Sequence, residues 1–462
     1  MKKNILIYIF TLLGVGFFGC KSNIDLSPIS QIDASTGFTT KSDMDAAMNG
    51  CYNALLSNNS YGLTYNLGAD LTADNLTDVG TFQDLKELEN KIISTNNATT
   101  TNYWVNAYSG INRLNNVIAS APKAAANDKA VNSDLYTGEA RCLRAFQYFN
   151  LLRYYGGSET GYNKASGLGV PLVLKPTLAL ADTSSTPRSP EADCWKAIID
   201  DLTFAAKNLP ARSGTVSSNT GRINGNIANA LLARAYLYTG DWANAEATSD
   251  NIIKNGGYSL LASASYANIF ASKNTAESIW ELQFDSQNAN SVAFYYFTTG
   301  LGGRNEVSST TSLKAAHETG DVRLPVNYTV AASGIPAAKT LKYTHVDGTD
   351  NVIQIRLAEM YLIRAEARAN QSKFVDALVD VNIIRTRAGL TPAVAATQAD
   401  LLLAIEKERR LEFAHEGHRW FDLRRYNRTS TVGVTQGFRN LWPIPDREVT
   451  TSGGIITQNP GY

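Results

Sequence analysis

LLLAIEKERRLEFAHEGHRWFDLRRY, residues 401–426, decides how this chain is read. It opens with helical spacing, Leu401, Leu402, Ile405, Leu411 and Phe413 forming an apolar face. Glu408, Glu412 and Glu416 recur every fourth residue, which stacks three carboxylates on one face of a helix expected to stop at Gly417. Like charges at that spacing cost roughly 0.2–0.5 kcal/mol per pair, and an anion at a helix C-terminus opposes the dipole. A free solvent face has no reason to carry this pattern. Arg409, Arg410, Arg419, Arg424 and Arg425 lie close by, and Trp420 and Phe421 follow at once. The stretch predicts a partly buried carboxylate–guanidinium network, built on Glu408, Arg409, Glu412, Glu416 and Arg419, under an aromatic lid. The competing reading is a solvated charged helix.

Working outward, 462 residues with 44% apolar and 18% charged side chains describe a globular chain with a large core. Lys and Arg number 42, as do Asp and Glu. Losing Lys2 and Lys3 with a leader leaves a small negative excess. That balance offers no electrostatic case for nucleic acid. Tyr is abundant at 22, which suits polar neutral ligands. Four cysteines occur without C-x-x-C spacing, so zinc and redox motifs are unsupported. Cys142 reads as a buried thiol. A Cys51–Cys194 disulfide is conceivable outside the cytoplasm.

Residues 1–19 combine Lys2-Lys3 with an apolar run that is too short for a stable span, which is the pattern of a secretory leader. It ends FFGC and resembles a lipobox, with Phe17 where Leu is usual. Cys20 would become an acylated N-terminus held on a membrane surface, and residues 20–40 a tether. Residues 41–462 read as a single mostly α domain.

Apolar and aromatic residues at helical spacing predict helices over 42–56, 97–119, 137–155 and 191–209. Residues 221–257 read as helix, tight turn at Gly240-Asp241, helix. A related hairpin returns at 355–389, and one offset pairs Ala233 with Ala365, Ala235 with Ala367, Trp242 with Phe374 and Ala245 with Ala377. Small residues let two helices approach while an aromatic wedges the pair, as in a tetratricopeptide repeat. The copies are far apart in the chain, so a simple tandem array is not expected. Two segments, 61–90 and 258–350, look irregular and loop-rich, with a buried strand in SIWELQF. Stretch 61–81 is too polar for core and too aromatic for a linker, and FYYF at 294–297 is too aromatic to face wholly inward. Residues 441–462 read as an ordered strap. The fold class is therefore mostly α, a tetratricopeptide-like helical-hairpin scaffold carrying loop-rich segments and a few short strands.

HEGH at 415–418 lacks the second His of a zinc-protease motif, Arg419 standing in its place. No nucleophile elbow or P-loop appears. No metal, cofactor or catalytic residue is assigned.

EKERRLEFAHEGHRWFDLRRY resembles the C-terminal signature of the RagB/SusD family of outer-membrane nutrient-binding lipoproteins. The helices over 97–119 and 137–155, the RLAEMYLIRAEARA and VNIIRTRAGL hairpin, and the LWPIPDREV and TQNPGY close resemble further family stretches, so the resemblance spans nearly the whole chain. It implies a non-enzymatic protein anchored through Cys20 to outer-membrane lipid. Such a protein captures a nutrient, usually an oligosaccharide, and hands it to a SusC-like TonB-dependent transporter. Sugar rings stack on aromatics and their hydroxyls bond to Asp, Asn and Arg. The candidate contacts, outside the signatures, are Asp74, Asn75, Phe82, Tyr295, Tyr296 and Arg304. The alternatives are a helical-repeat module for a protein partner, a hydrolase, or uptake of a peptide.

Overall fold

The computed structural model describes residues 37–177, 185–212, 221–329 and 338–462. The leader, Cys20 and the tether up to residue 36 lie outside the described residues.

Helices set the frame. They include α1 (Lys41–Leu56), α2 (Thr64–Leu71), α3 (Gln83–Asn90), α4 (Ala98–Asn127), α5 (Ser133–Tyr155), α6 (Glu191–Asn208), α7 (Gly225–Thr239) and α8 (Trp242–Asn255). After the irregular middle come α9 (Val292–Tyr296), α10 (Leu357–Asn370), α11 (Phe374–Arg387), α12 (Gln398–Glu412) and α13 (Arg419–Arg425). Polar caps start them: Thr40 and Asp43 form a capping box on α1, and Asn132 and Asn224 cap α5 and α7.

The long helices pack in series, α1 on α4, α4 on α5, α5 on α6, α6 on α7, α7 on α8, α8 on α10 and α10 on α11, with α12 laid across the last two. The two hairpins read from sequence, α7–α8 and α10–α11, are thus neighbours in space, and the array is continuous although the chain is not. Ala233, Ala235, Ala245, Ala365, Ala367 and Ala377 are all fully buried, so helix backbones approach closely there. The aromatic wedge is not shared: Trp242 packs against the core, whereas Phe374 is 41% exposed.

Short antiparallel strand pairs tie the connections down. β1 (Leu76–Asp78) pairs with β5 (Val307–Ser309), β2 (Leu168–Pro171) with β3 (Arg188–Pro190), and β4 (Ser278–Leu282) with β6 (Val352–Arg356). The β4–β6 pair is buried throughout. The C-terminal segment packs into the core, with Trp442 stacked on Tyr154 at 3.7 Å and Asn459 donating to the Tyr155 and Trp442 carbonyls.

Stretch 61–81 departs from its sequence reading. It contains α2, whose eight residues are all buried. Its polar atoms find partners far along the chain: Asn66 donates to Tyr343, and Asp70 accepts from Asn75 and from the Gly417 amide. Gly68 has no side chain because the Trp442 ring would lie 2.9 Å from its Cβ. Cys51, Cys142 and Cys194 are buried free thiols, so the Cys51–Cys194 bridge is absent.

The signature helix also ends earlier than expected. α12 stops at Glu412, and the chain turns through His415 (φ 67°) and Gly417 (φ 79°), so Glu416 reaches the cluster from a turn and not from the helix face. The three glutamates are buried, and their partners come from outside the stretch. Arg323 joins Asp321, Glu408 and Glu412; Arg356 joins Glu277, Glu412 and Glu416; Arg385 joins Glu408; Arg387 joins Glu277 and Glu412; Lys342 joins Glu416. Arg385 also joins the partly exposed Glu318, so six carboxylates face five buried bases. Arg409 and Arg419 do not pair with Glu408, Glu412 or Glu416: Arg409 holds Asp422, and Arg419 holds Glu406 and Asp74. Trp420 and Phe421 are fully buried.

The two histidines of the stretch are core residues. His415 Nε2 lies 3.0 Å from the Asn327 carbonyl, so that nitrogen carries the proton and Nδ1 accepts from Tyr296 at 3.0 Å. Burial, with Lys342 nearby, pulls its pKa down to about 3.

Candidate ligand-binding site

The β1–β5 ladder brings the early and late irregular segments together. Leu76 faces Ser309 and Asp78 faces Val307, and the Val79 amide continues the ladder to the Glu306 carbonyl at 2.9 Å. In the late segment, α9 is followed by a tight return in which the Arg304 and Glu306 amides donate to the Phe294 and Tyr295 carbonyls at 2.7 and 2.8 Å. Gly303 is required in this return, since a Cβ there would sit 2.1 Å from the Phe297 carbonyl.

Three of the six residues nominated from sequence meet here. The Phe82 and Tyr295 rings stack with centroids 6.2 Å apart and planes 18° from parallel. The Arg304 guanidinium lies 4.3 Å from the Phe82 centroid. Both rings are half-buried and Arg304 is exposed. Arg304 Nε donates to Glu306 at 2.6 Å, and the same buried carboxylate accepts from the Thr81 amide at 3.2 Å. Gly80 makes room for it: a Cβ there would fall 1.8 Å from Glu306 Oε2.

Beside the rings runs a groove of about 270 Å³. Leu63, Leu67, Leu85, Phe82 and Tyr295 supply its apolar wall, and Asn58, Asn59, Thr99 and Asn102 supply amide and hydroxyl groups. Burial raises the Tyr295 phenol above its ordinary value, against the opposing pull of Arg304, so the hydroxyl stays neutral and able to donate. An aromatic face flanked by neutral donors and acceptors matches a ligand with apolar C–H faces and many hydroxyls.

The other three nominees belong to the scaffold. Asn75 is fully buried, donating to Asp70 at 2.6 Å and accepting from Arg410 at 3.1 Å. Tyr296 is buried against His415. Asp74 takes Arg419 at 2.8 Å and Arg410 at 3.2 Å; burial works to raise its pKa, but those cations outweigh it and hold the carboxyl below its usual range. Sequence reasoning missed Asn58, Asn59, Asn102 and Glu306. The Asn-Asn-Ser run before Tyr61 is turn chemistry, but nothing in it points across to Tyr295. Among the described residues, no three His, Cys, Asp or Glu side chains come together as a metal site, and no helix is long and apolar enough to cross a membrane.

Comparison with known proteins follows from this geometry. One family profile, described as the SusD family, matches residues 325–438; another, described as starch-binding associating with outer membrane, matches residues 24–237. SusD-like protein P2 of Formosa agariphila is 25% identical, with all of both chains covered. A laminarin-binding SusD-like protein superposes with a TM-score of 0.77 at 24% identity, covering 92% of this chain and 100% of that one. Surface glycan-binding protein A from Bacteroides thetaiotaomicron, solved with laminarihexaose, gives 0.74 at 20% identity, covering 91% and 100%.

Proposed function

Since the chain belongs to the SusD-like family, we propose that it binds an oligosaccharide in the groove beside Phe82 and Tyr295 and delivers it, without chemistry, to a TonB-dependent outer-membrane transporter. One observation carries the reading. Segments more than two hundred residues apart in sequence are pinned together by β1–β5 and Glu306 so that Phe82, Tyr295 and Arg304 form one half-exposed surface. Rings stacked only for packing have no need of an exposed guanidinium and a row of asparagines at their edge. Two structural relatives support the ligand class, one laminarin-binding and one solved with laminarihexaose. Acylation at Cys20 would place the protein on the outer-membrane surface, and the helical array would face the transporter.

The test is glycan binding by calorimetry or affinity gel over a panel of oligosaccharides. Phe82→Ala with Tyr295→Ala is expected to lower affinity at least about tenfold, given the roughly 1 kcal/mol or more carried by a buried aromatic contact. Full affinity in the double variant would remove this groove as the site. Palmitate incorporation that disappears in Cys20→Ala checks the anchor; incorporation unchanged by that substitution refutes it.

A further inference from the structure

The charge layout of the groove specifies its ligand more narrowly than the proposed function does. Arg304 lies over the ring pair, and its side chain is 46% exposed. On that view alone the site would favour an acidic sugar. Its charge is already committed, however. Glu306, with a side chain only 4% exposed, accepts Arg304 Nε at 2.6 Å and is held there by the Thr81 amide, in space that the missing Cβ of Gly80 leaves open. A guanidinium bound to a fixed carboxylate presents apolar stacking surface and spare N–H donors but little net field.

The surroundings lean further the same way. Asp84 is the one charged side chain among the described residues lining the groove, and it is an anion. At β1, Glu89 accepts from Thr77 at 2.6 Å and from the Asp78 amide at 3.1 Å, which brings a second carboxylate beside Asp78. Burial raises the Asp78 carboxyl above its ordinary value against the pull of the Gly80 amide and Lys86, with Glu89 and Glu306 adding smaller pushes in the same direction as burial. An arriving uronate or sulfate would meet the Asp84 carboxylate with no cation among the described lining residues to receive it, and like charges juxtaposed at an interface are a device for rejecting wrong partners.

We infer that the groove is selective for uncharged oligosaccharides and excludes anionic ones, with Glu306 as the residue that sets the selectivity by neutralising Arg304. The inference rests on the glycan-binding reading of this groove. The experiment measures affinity of the full-length protein for neutral gluco-, manno-, galacto- and xylo-hexaoses beside oligouronates of equal length. The wild-type protein is expected to take a neutral hexaose at least about tenfold more tightly than any oligouronate. In Glu306→Gln, which keeps the shape and an acceptor for Arg304 but removes the compensating charge, the oligouronate-to-neutral affinity ratio is expected to rise roughly fivefold, and the gain to fade in 0.5 M salt, as for an exposed charge contact. Should that variant fold poorly, Asp84→Asn, half-buried in the groove wall, is expected to raise the same ratio. Wild-type preference for oligouronates, or a ratio unmoved in both variants, overturns the selectivity while leaving glycan binding in place. Failure to bind any member of the panel overturns the glycan reading itself, and the selectivity with it.

Discussion

Glu412→Ala is the perturbation that probes the interior most directly. Glu412 is fully buried and shares its carboxylate among Arg323, Arg356 and Arg387. Its removal does not strip those arginines bare: Arg323 keeps Asp321 and Glu408, Arg356 keeps Glu277 and Glu416, and Arg387 keeps Glu277. It does leave three buried arginines sharing one carboxylate fewer. Breaking one partner of a buried ion pair costs about 3–5 kcal/mol, because the surviving charge stays desolvated. Unfolding entropy of about 2.1 cal/mol/K per residue over a chain of this length converts each kcal/mol into roughly 1 °C, so the melting temperature is expected to fall by about 3–5 °C. The assay is differential scanning calorimetry at pH 7.5 and fixed scan rate, with Lys41→Ala as control. That residue's ion pair with Asp45 is 52% and 40% exposed, and such pairs contribute about 0–1 kcal/mol. If Glu412→Ala melts within 1 °C of the wild type, the cluster is not what holds the C-terminal helices together.

Three further outcomes follow. Stability is expected to fall as pH drops, in two stages. His415 is neutral when folded, with a pKa of about 3 against 6.5, so the unfolded chain binds a proton below about pH 6.5 that the folded one refuses, and stability declines from there toward pH 3. Burial alone would raise Glu412 and Glu416, but their cations hold them below 4.5, so a second loss begins below pH 4.5; a flat melting temperature between pH 7 and 4.5 would contradict the first stage, and no steeper fall below pH 4.5 the second. Gly80→Ala, which drives a methyl into Glu306, is expected to weaken glycan binding several-fold with little change in melting temperature, checked by calorimetry on the same sample. Arg419→Ala leaves Asp74 with Arg410 alone and is expected to lower glycan affinity roughly three- to tenfold although Arg419 touches no ligand; Arg419→Lys, lacking the two-pronged contact, is expected to restore only part of it.

How much of this was legible depends on whether the physical cause was local. The α7–α8 and α10–α11 hairpins show in sequence because turn, cap and the buried alanines all lie within one repeat unit. The α1–α4 and α5–α6 pairings do not, since each joins helices separated by an insertion that destroys the period. α2 was read as irregular for the same reason. TYNLGADL is polar by composition, and only Tyr343, Gly417 and Asn75, from other parts of the chain, make its burial affordable. The every-fourth-residue glutamates announced that cations must be near, yet the arginines adjacent in sequence serve other acids, and those that matter, Arg323, Arg356, Arg385 and Arg387, arrive from elements that pack on α12.

Asp74 and Asn75 show why a polar loop is ambiguous. They were nominated for the same qualities as Phe82 and Arg304: polar, loop-borne and outside any repeat. The structure instead makes them the joint between the C-terminal signature and the groove. Arg419 and Arg410 reach from the signature to Asp74 and Asn75, and the Asn75 carbonyl accepts from Thr310, the residue that follows β5. The signature segment therefore lies one ion pair away from the strand ladder that aligns Phe82 with Tyr295. A binding surface assembled from two distant loops needs a rigid reference, because small displacements of contact groups are costly in affinity. The signature helix, conspicuous for carrying carboxylates where none should be comfortable, supplies that reference, so under the proposed function the most distinctive stretch of the sequence serves binding although none of its side chains lines the groove.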